Sequence, residues 1–468
     1  MLSKRRVATP ARGWHVDPAE SDSGPARRRT SGRAAASRQS RARLVSLSSA
    51  AALSLVLAAC GDDSGGSSGS GGGGEATLNF LHAQDPSTFD KAVKSFEAAN
   101  PDITVELQAV PFDDLNAAVE SRIGNEDASI DVYEVDEPRT AGFAARGYLL
   151  ELEDLGGEAE GTVLPEALEA TRYEETQYAI PRWTSTQLLY YNPALLKAAG
   201  VPAPSDDPAK PMTWQEVSSA GAEAQKAGAE WGMIFDQVDR YYQLQPIAES
   251  AGGGPGLTGE EMLEPAITNE GWISAFEWYA SIFEEGIAPR GIDPEQTATL
   301  FAEGNTAFFA GGPWNAATFD DAGLDYGVAA FPVFEGGEPA SSTGSWAMGV
   351  NPFSEEQDAA KEFIRYVTLD PTGAWEASST NIPVQQDAFD RYLEERRKGG
   401  EVQAQIADII EYELENNAVS RPKTIAFVDF ETIMNTAFAD IRNGSDPAER
   451  LQEASDEIES AVSKYEGG

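Results

Sequence analysis

Cysteine and histidine, which supply thiol and imidazole groups for catalysis and for zinc sites, are rare in this chain. The sequence contains one cysteine, Cys60, and two histidines, His15 and His82. A single cysteine cannot form an intramolecular disulfide, and a zinc site of Cys and His ligands cannot be assembled from this set. We therefore expect no metal and no cofactor. A catalytic arrangement of Ser, His and Asp could use only His82 once the amino-terminal leader described below is removed.

Polar side chains follow two predicted strands at the points where those strands end. Gln84 and Asp85 follow the first strand, and Asp136 and Glu137 follow the third. Ligands of open, mostly parallel sheets bind beyond the carboxyl ends of the strands, so these four are candidate ligand-binding residues. The alternative is that Asp85 and Asp136 only cap turns. The paired acids do not indicate catalysis, because the chain has 77 Asp and Glu and adjacent residues of an extended segment point apart.

The elements that must position these residues alternate between strand and helix. Apolar residues alternate with period 2 in the predicted strand 103–110, and further strands are predicted at 77–82, 130–135 and 187–191. Helical spacing and capping residues predict helices from Ser87 to Asn100, at 113–123, 214–228 and 272–285, at 297–309 with an interruption at Gly304-Asn305, from Ser354 through Leu369, at 432–442 and from Pro447 onward. Strands joined by helices predict an α/β fold with mostly parallel sheets and helices on both faces.

Composition sets limits on the partners of the chain. Of its 468 residues, 41% are hydrophobic and 9% aromatic, which is enough to build a sizeable core in two or three domains. The formal net charge is −43. Since 11 of the 34 basic residues but only 3 of the 77 acidic residues precede residue 60, the remainder carries −51. Such an acidic chain is a poor partner for nucleic acid, whose phosphates need Lys and Arg.

The amino-terminal residues have the composition of an export signal. Residues 1–43 are basic, and residues 44–59 form an apolar run of 16 residues, shorter than the roughly 20 of a membrane-spanning helix. The run ends at Leu57-Ala58-Ala59-Cys60-Gly61, which resembles the lipobox of bacterial lipoproteins. We expect a lipoprotein signal peptide at 1–59, lipid attachment at Cys60 and a Gly/Ser tether at 60–75. The alternative is an ordinary secretory signal.

Six segments downstream carry a family resemblance. They are 89–107, 131–152, 179–201, 301–319, 342–368 and 420–454. In amino-acid sequence and in order, these segments resemble the extracellular solute-binding proteins of ABC importers, in the carbohydrate-binding family that includes maltose- and trehalose-binding lipoproteins. The resemblance spans nearly everything after residue 76. It implies a two-lobed periplasmic-binding-protein (Venus-flytrap) fold, with a first lobe at 76–183 and 345–395 and a second at 184–344 and 420–468. The chain would cross between lobes near 181–185, near 342–349 and within 393–425.

The resemblance also implies a set of ligand-binding residues. A sugar ring needs aromatic platforms for its C–H faces and planar polar groups for its hydroxyl rim. Besides the four strand-end residues, the positions that match the family imply seven more ligand-binding residues. These are Trp183, Tyr242, Gly312, Trp314, Gly344, Trp346 and Arg421. Trp183 could instead pack at a hinge, Tyr241 could replace Tyr242, and Arg421 could form a structural ion pair. The segment after the third strand lacks an aromatic that trehalose-type relatives show.

The implied function is capture of a sugar without chemical change. The chain would be the membrane-anchored binding component of an ATP-driven importer, would bind an oligosaccharide or disaccharide such as a maltose- or trehalose-type glucoside, and would deliver it to a permease with a cytoplasmic ATPase. It would act as a monomer at the outer face of the cytoplasmic membrane, held by lipid at Cys60, and would not be an enzyme. The alternatives are a lipid-anchored glycoside hydrolase and a binding protein for a non-sugar solute.

Overall fold

The computed structural model describes residues 75–378 and 380–465. The strands are β1 (Ala76–His82), β2 (Ile103–Ala109), β3 (Val132–Asp136), β4 (Arg172–Tyr173), β5 (Thr176–Gln177), β6 (Ile180–Pro181), β7 (Trp183–Thr184), β8 (Leu188–Tyr191), β9 (Trp231–Phe235), β10 (Leu257–Thr258), β11 (Glu264–Pro265), β12 (Thr306–Gly311), β13 (Gly327–Ala330), β14 (Ser341–Ser342), β15 (Trp346–Val350), β16 (Ile382–Pro383) and β17 (Ala418–Val419). The predicted signal peptide, Cys60 and nearly all of the tether lie outside the described residues.

The helices are α1 (Ser87–Ala99), α2 (Leu115–Ile123), α3 (Thr140–Ala145), α4 (Glu153–Ala159), α5 (Pro165–Ala170), α6 (Pro193–Ala199), α7 (Trp214–Lys226), α8 (Tyr241–Ser250), α9 (Glu270–Glu284), α10 (Thr297–Ala302), α11 (Ala316–Asp321), α12 (Gln357–Leu369), α13 (Pro371–Glu376), α14 (Gln386–Lys398), α15 (Glu401–Asn416), α16 (Phe427–Asn443) and α17 (Pro447–Val462). The capping box predicted for α7 is present, because Thr213 accepts from the Glu216 backbone N–H and Glu216 accepts in return from that of Thr213.

Two larger sheets organise the molecule. The first has the order β2-β1-β3-β15-β6 and the second β13-β8-β12-β9. In each sheet one strand runs against all the others, β15 in the first and β8 in the second. Each of these two strands follows a place where the chain passes from one sheet to the other. The sheets are therefore mostly parallel in strand direction, as predicted, and each contains a single reversed strand.

Helices cover both faces of the second sheet. The four residues of β8 alternate between two hydrophobic clusters, with Leu189 and Tyr191 on one face and Leu188 and Tyr190 on the other. All four are buried. A third cluster surrounds the first sheet, with members from Leu78 to Trp183 and from Trp346 to Val384. Each sheet therefore has its own core.

The chain passes between the sheets through paired extended segments. The segment from β6 to β8 makes the first passage and the segment from β14 to β15 the second. Hydroxyl groups link them, since Thr184 and Thr343 share a hydrogen bond of 2.9 Å and Thr186 and Ser341 one of 2.8 Å. Short pairings of β7 with β16 and of β14 with β17 complete this region.

Three helix predictions differ from the structure at their ends. Ser354 does not open α12, because its hydroxyl donates to Asp131 and the helix begins three residues later. The helix predicted at 297–309 stops at α10, and the apolar residues from Thr306 form β12 between β8 and β9. The helix predicted at 432–442 begins earlier, at Phe427, where buried aromatic rings extend its apolar face.

The third passage lies earlier than the predicted 393–425. Ile382 packs in a cluster on the second sheet and Val384 in the cluster of the first. Tyr392 and Leu393 of α14 then pack against the second sheet, although the sequence places residues up to 395 in the first lobe. This packing favours a boundary near 386, which the apolar periodicity of α14 does not reveal because it shows only that the helix has a buried face.

Candidate functional site

A cavity of about 690 Å³ lies between the two large sheets, and residues that follow strands of both sheets form its walls. Eight of the eleven predicted ligand-binding residues line it: Gln84, Asp85, Asp136, Tyr242, Trp314, Gly344, Trp346 and Arg421. Concave sites of this size, with aromatic walls and a few convergent polar groups, are typical of small-molecule binding. The structure therefore brings together residues that are up to 337 positions apart, Gln84 and Arg421.

Aromatic rings stand on both walls of the cavity. On the side of the first sheet, Phe112 and Trp346 meet edge to face, with centroids 5.7 Å apart. On the side of the second sheet, the Tyr242 and Trp314 centroids lie 6.3 Å apart and the rings are tilted by 41°. Flat apolar rings on opposite walls can cover the C–H faces of a ligand ring from two sides.

Gly312 does not line the cavity, but it makes room for one of these rings. A Cβ atom at this position would overlap the six-membered ring of Trp314. Its φ of −82° is one that any residue can adopt, so the requirement for glycine here is space rather than backbone conformation. The structure supports an indirect role for Gly312, and its predicted direct contact with the ligand stays a prediction.

Arg240 connects the two walls. It precedes α8 on the side of the second sheet, and its guanidinium carbon lies 4.5 Å from the centroid of Phe112 on the other side. A cation at this distance over an aromatic face is attracted by the ring quadrupole. Arg240 and Phe112 therefore form a contact across the cavity.

A network of four charged side chains forms another part of the wall. Arg421 donates to both oxygens of Asp136, at 2.6 and 2.9 Å. Arg139 donates to Asp136 and to Glu431 of α16. The charges of the two cations and two anions cancel, and their mutual attraction offsets part of the free-energy cost of removing each from water. The alternative role considered for Arg421, a structural ion pair, is thus present in a residue that also lines the cavity.

Asp136 keeps little hydrogen-bonding capacity for a ligand. Three guanidinium N–H groups occupy most of its acceptor positions, and an ionised carboxylate has about four. A group that is held by two arginines is therefore suited to accept one further hydroxyl.

Glu137 faces away from this cavity. It lines a second cavity of about 310 Å³, together with Thr343, Ser420 and Lys423. Burial raises its pKa to about 8, against the lowering effect of Arg421 and of a hydrogen bond with the Ser345 backbone. Adjacent residues of an extended chain point apart, so Asp136 and Glu137 reach different cavities, and the predicted ligand contact of Glu137 is not supported.

Trp183 is a core residue in this structure. It is fully buried in the cluster around the first sheet, 6.2 Å from the parallel ring of Phe89, and the Arg182 guanidinium lies 3.6 Å from its centroid. Trp183 does not line the cavity, and its packing favours the alternative role at the first passage over the predicted ligand contact. In a short extended segment, a one-residue shift decides which side chain faces inward.

The buried ion pair beside Trp183 supports the loop after β1. Arg182 and Glu134 are both inaccessible to solvent and are joined by a hydrogen bond. Glu134 also accepts from the backbone N–H of Ala83 at 2.8 Å and from the Gln84 side chain at 3.3 Å. This pair consequently holds the segment that presents Gln84 to the cavity.

His82 does not take part in a catalytic arrangement. It is fully buried against Phe80 and Phe89, its Nδ1 accepts from the Gln84 backbone N–H, and burial lowers its pKa. The nitrogen that accepts a backbone hydrogen bond is unavailable as a general base. In the described part of the chain, no group of three or more His, Cys, Asp or Glu could hold a metal ion.

Sequence reasoning missed several cavity residues. Phe112, Arg139 and Arg240 line it, and Asp236 lies directly behind Trp314. The rule that ligands sit beyond strand ends could have found three of them, since Phe112 follows β2, Arg139 follows β3 and Asp236 follows β9. Arg240 lies further from a strand end and carries a weaker signal of this kind.

A helix able to cross a membrane would be longer and more apolar than any helix found among the described residues.

Comparison with known proteins gives a family and a fold. Residues 81–374 match the family model of the bacterial extracellular solute-binding proteins. The galactooligosaccharide-binding protein of Bacillus subtilis (strain 168) is 27% identical over 209 residues, which are 43% of this chain and 47% of that protein. The maltodextrin-binding protein of the same organism is 25% identical over 317 residues, 65% of this chain and 72% of that protein. The chain thus spans about half the length of the first of these relatives.

A solved structure has the same architecture. An ABC substrate-binding protein from Listeria monocytogenes, in complex with cycloalternan, superposes with a TM-score of 0.73 at 22% identity. The match covers 83% of this chain and 99% of that one. At this level of identity the likeness shows the fold alone, and it confirms the predicted two-lobed α/β class.

Proposed function

The chain belongs to the family of bacterial extracellular solute-binding proteins, and from this premise we propose that it captures a sugar in the cavity between its two large sheets. The observation that carries the proposal is the arrangement of aromatic rings. Phe112 and Trp346 stand on one wall, and Tyr242 and Trp314 on the other. Two facing platforms match a ligand with flat apolar faces and a polar rim.

The rest of the lining supports a neutral polar ligand. The four-charge network of Asp136, Arg139, Arg421 and Glu431 is balanced within itself, so it offers hydrogen bonds without a strong net charge. Amide and hydroxyl groups of Asn116, Gln237, Thr380 and Asn381 add donors and acceptors that can meet sugar hydroxyls.

We propose an oligosaccharide or a disaccharide of the maltose or trehalose type as the ligand. The related proteins are named for galactooligosaccharides and maltodextrin, and the volume of about 690 Å³ is in the range of pockets that enclose such molecules. Calorimetric titration with maltose, maltotriose, trehalose and a galactooligosaccharide tests this directly. Saturable binding of one of them supports the proposal, and binding of none at millimolar concentration contradicts it.

The same samples distinguish binding from catalysis. A binding protein returns its sugar intact, whereas a glycoside hydrolase would release monosaccharide. Chromatography of the titrated sugar after prolonged incubation therefore provides the control. The family is one of binding proteins, and the geometry of Asp136, which is held by Arg139 and Arg421, agrees with binding.

We further propose lipid anchoring at Cys60 and delivery of the sugar to a membrane permease with a cytoplasmic ATPase. Cys60 is the only thiol and directly follows the apolar run, and this position supports lipid attachment and a location at the outer face of the cytoplasmic membrane. Metabolic labelling with a fatty acid should mark the wild type and not Cys60→Ala. An unlabelled wild type would contradict the anchor without affecting the sugar proposal.

A further inference from the structure

We infer that Asp236 is a positioning residue for ligand binding, because it fixes the plane of the Trp314 ring that faces the cavity. This inference rests on the proposed sugar site and adds to it a residue that does not itself line the cavity. Asp236 directly follows β9 and is buried. Its Oδ2 atom accepts from the Trp314 indole Nε1 at 3.0 Å and from the Asn315 side chain at 2.9 Å.

The backbone of Asp236 is tied to rigid elements. Its N–H donates to the carbonyl of Ala310 in β12 at 2.8 Å, and its own carbonyl accepts from the Thr297 hydroxyl at the start of α10, also at 2.8 Å. The carboxylate therefore has a fixed position relative to the second sheet. A ring that donates a hydrogen bond to this carboxylate is therefore held in a fixed position as well.

Trp314 needs such a support. It lies on a three-residue 3₁₀ turn (Pro313–Asn315) between β12 and α11, and it is partly exposed to the cavity. A partly exposed indole can rotate about its side-chain bonds unless its N–H is held. Asp236 holds the N–H, while Gly312, without a side chain, leaves space for the ring itself. A ring fixed before binding loses less conformational freedom when the ligand arrives.

The hydrogen bond is of the stronger kind. An indole N–H that donates to a carboxylate forms a charge-assisted bond, and loss of the carboxylate leaves this N–H without its partner. Asp236→Ala removes the acceptor altogether. Asp236→Asn keeps one oxygen that can accept from the indole but removes the charge, so it should have a smaller effect.

The inference is tested with a double-mutant cycle on purified full-length protein. The sugar is the member of the set maltose, maltotriose, trehalose and a galactooligosaccharide that binds wild type. We expect Asp236→Ala to weaken binding about tenfold, the size of one lost charge-assisted hydrogen bond. Trp314→Phe keeps an aromatic face but has no N–H. In that background Asp236→Ala should change affinity less than about twofold, because its partner atom is already gone.

A spectroscopic readout tests the positioning itself. With ¹⁵N-labelled tryptophan, the signal that disappears in Trp314→Phe identifies the Trp314 indole N–H. We expect this signal to shift in Asp236→Asn without sugar present. Asn315→Ala is the matched control, since it removes the other donor to Oδ2 and leaves the indole bond in place, so the indole signal should shift little.

Two results would overturn the inference. One is an unshifted indole signal in Asp236→Asn, and the other is an equal loss of affinity from Asp236→Ala with and without the Trp314 indole N–H. Wild type that binds none of the four sugars would instead contradict the proposed function, and the indole signal would then decide whether Asp236 holds the ring. If Asp236→Ala fails to fold, Asp236→Asn supplies both measurements.

Discussion

At the level of single residues, the cavity combines aromatic faces with charges that already neutralise one another. Arg421 and Arg139 hold Asp136, and Arg139 also holds Glu431. Because these ions are paired before any ligand arrives, a ligand need not provide a counter-charge. Specificity at such a site comes from ring stacking and from the few lone pairs and N–H groups that remain unoccupied.

The first prediction concerns the Trp314 platform. Trp314→Ala should weaken sugar binding by roughly 1–3 kcal/mol, because a large aromatic anchor is lost. The thermal midpoint should change little, since the ring is partly exposed and lies at the cavity wall. Trp272→Ala is the contrasting variant, because Trp272 is fully buried in the core of the second sheet and its loss should lower stability.

Calorimetry and thermal unfolding of both variants provide the check. An unchanged affinity together with a collapse of stability in Trp314→Ala would mean that the ring serves the core instead of the ligand.

At the level of secondary-structure elements, the passages between the sheets act as one unit. Tyr242 of α8 donates to the Ser185 hydroxyl at 2.7 Å, and Ser185 donates to the carbonyl of Gly344 at 2.7 Å. Ser342 of β14 also donates to the carbonyl of Tyr242, at 2.6 Å. The first two passages are thus coupled to an aromatic residue of the cavity wall, so movement of the passages would also move that ring.

The second prediction concerns Gly344, which precedes β15. Its φ is +79°, and a Cβ atom would overlap a carboxylate oxygen of Glu137. Gly344→Ala should therefore destabilise the protein through both backbone strain and the collision, by roughly 1–3 kcal/mol. Gly336→Ala is the matched control, because Gly336 has nearly the same φ, +78°, and open space around its Cβ position.

Chemical denaturation of the two variants separates the contributions. The difference between them measures the collision with Glu137, and equal losses would show that only the backbone conformation matters at Gly344.

Local patterns predict the elements of this chain well and its long-range contacts poorly. The strand-end rule locates Gln84, Asp85 and Asp136 at the cavity because it depends only on where strands stop. The pairing of Asp136 with Arg421 joins residues 285 positions apart and has no trace in local spacing. The family resemblance predicts Trp183 at the cavity, and only its packing on Phe89 and Arg182 shows which side of its strand faces inward.

At the level of the whole molecule, the excess of acidic residues and the burial of carboxyl groups both make the folded protein less stable as the pH rises. Residues 60–468 carry −51, and repulsion among these charges opposes the compact state. Burial raises the pKa of five carboxyl groups among the described residues, to about 8 for Glu137, about 7 for Glu413 and about 6 for Asp236, and in the same direction for Asp239 and Glu249. Each of them binds its proton more tightly in the folded protein than in the unfolded chain.

The third prediction is the resulting pH dependence. A carboxyl group with a raised folded pKa contributes stability below its unfolded pKa and loses it as the pH rises through the folded value. For Glu137 this window runs from its ordinary value of 4.5 to about 8. The free energy of unfolding should therefore fall more between about pH 5 and about pH 8 in wild type than in Glu137→Gln.

Denaturant titrations of wild type and Glu137→Gln at the two pH values give the comparison. Using the difference between them removes the contributions of all other groups, including those with lowered pKa values such as Asp127 and Asp207. Parallel pH profiles would show that Glu137 ionises in the folded state as it does in the unfolded chain.

The last prediction concerns the relation of the two lobes. The cavity wall belongs to both sheets, so a sugar that contacts Trp346 on one side and Trp314 on the other gains affinity only when the sides approach. A ligand shifts a conformational equilibrium by its difference in affinity for the two states. Small-angle scattering should thus show a smaller radius of gyration at saturating sugar. Trp314→Ala and Asp136→Ala, with sugar concentration raised to compensate for lost affinity, should compact less, because each removes a contact that depends on closure.

Repeating the measurement at about 1 M salt, where the Debye length falls to about 3 Å, screens the repulsion among the negative charges of the chain. The unliganded protein should then be more compact, so the decrease in radius of gyration on sugar binding should be smaller. A radius of gyration that stays constant on saturation at both salt concentrations would contradict closure while leaving sugar binding intact.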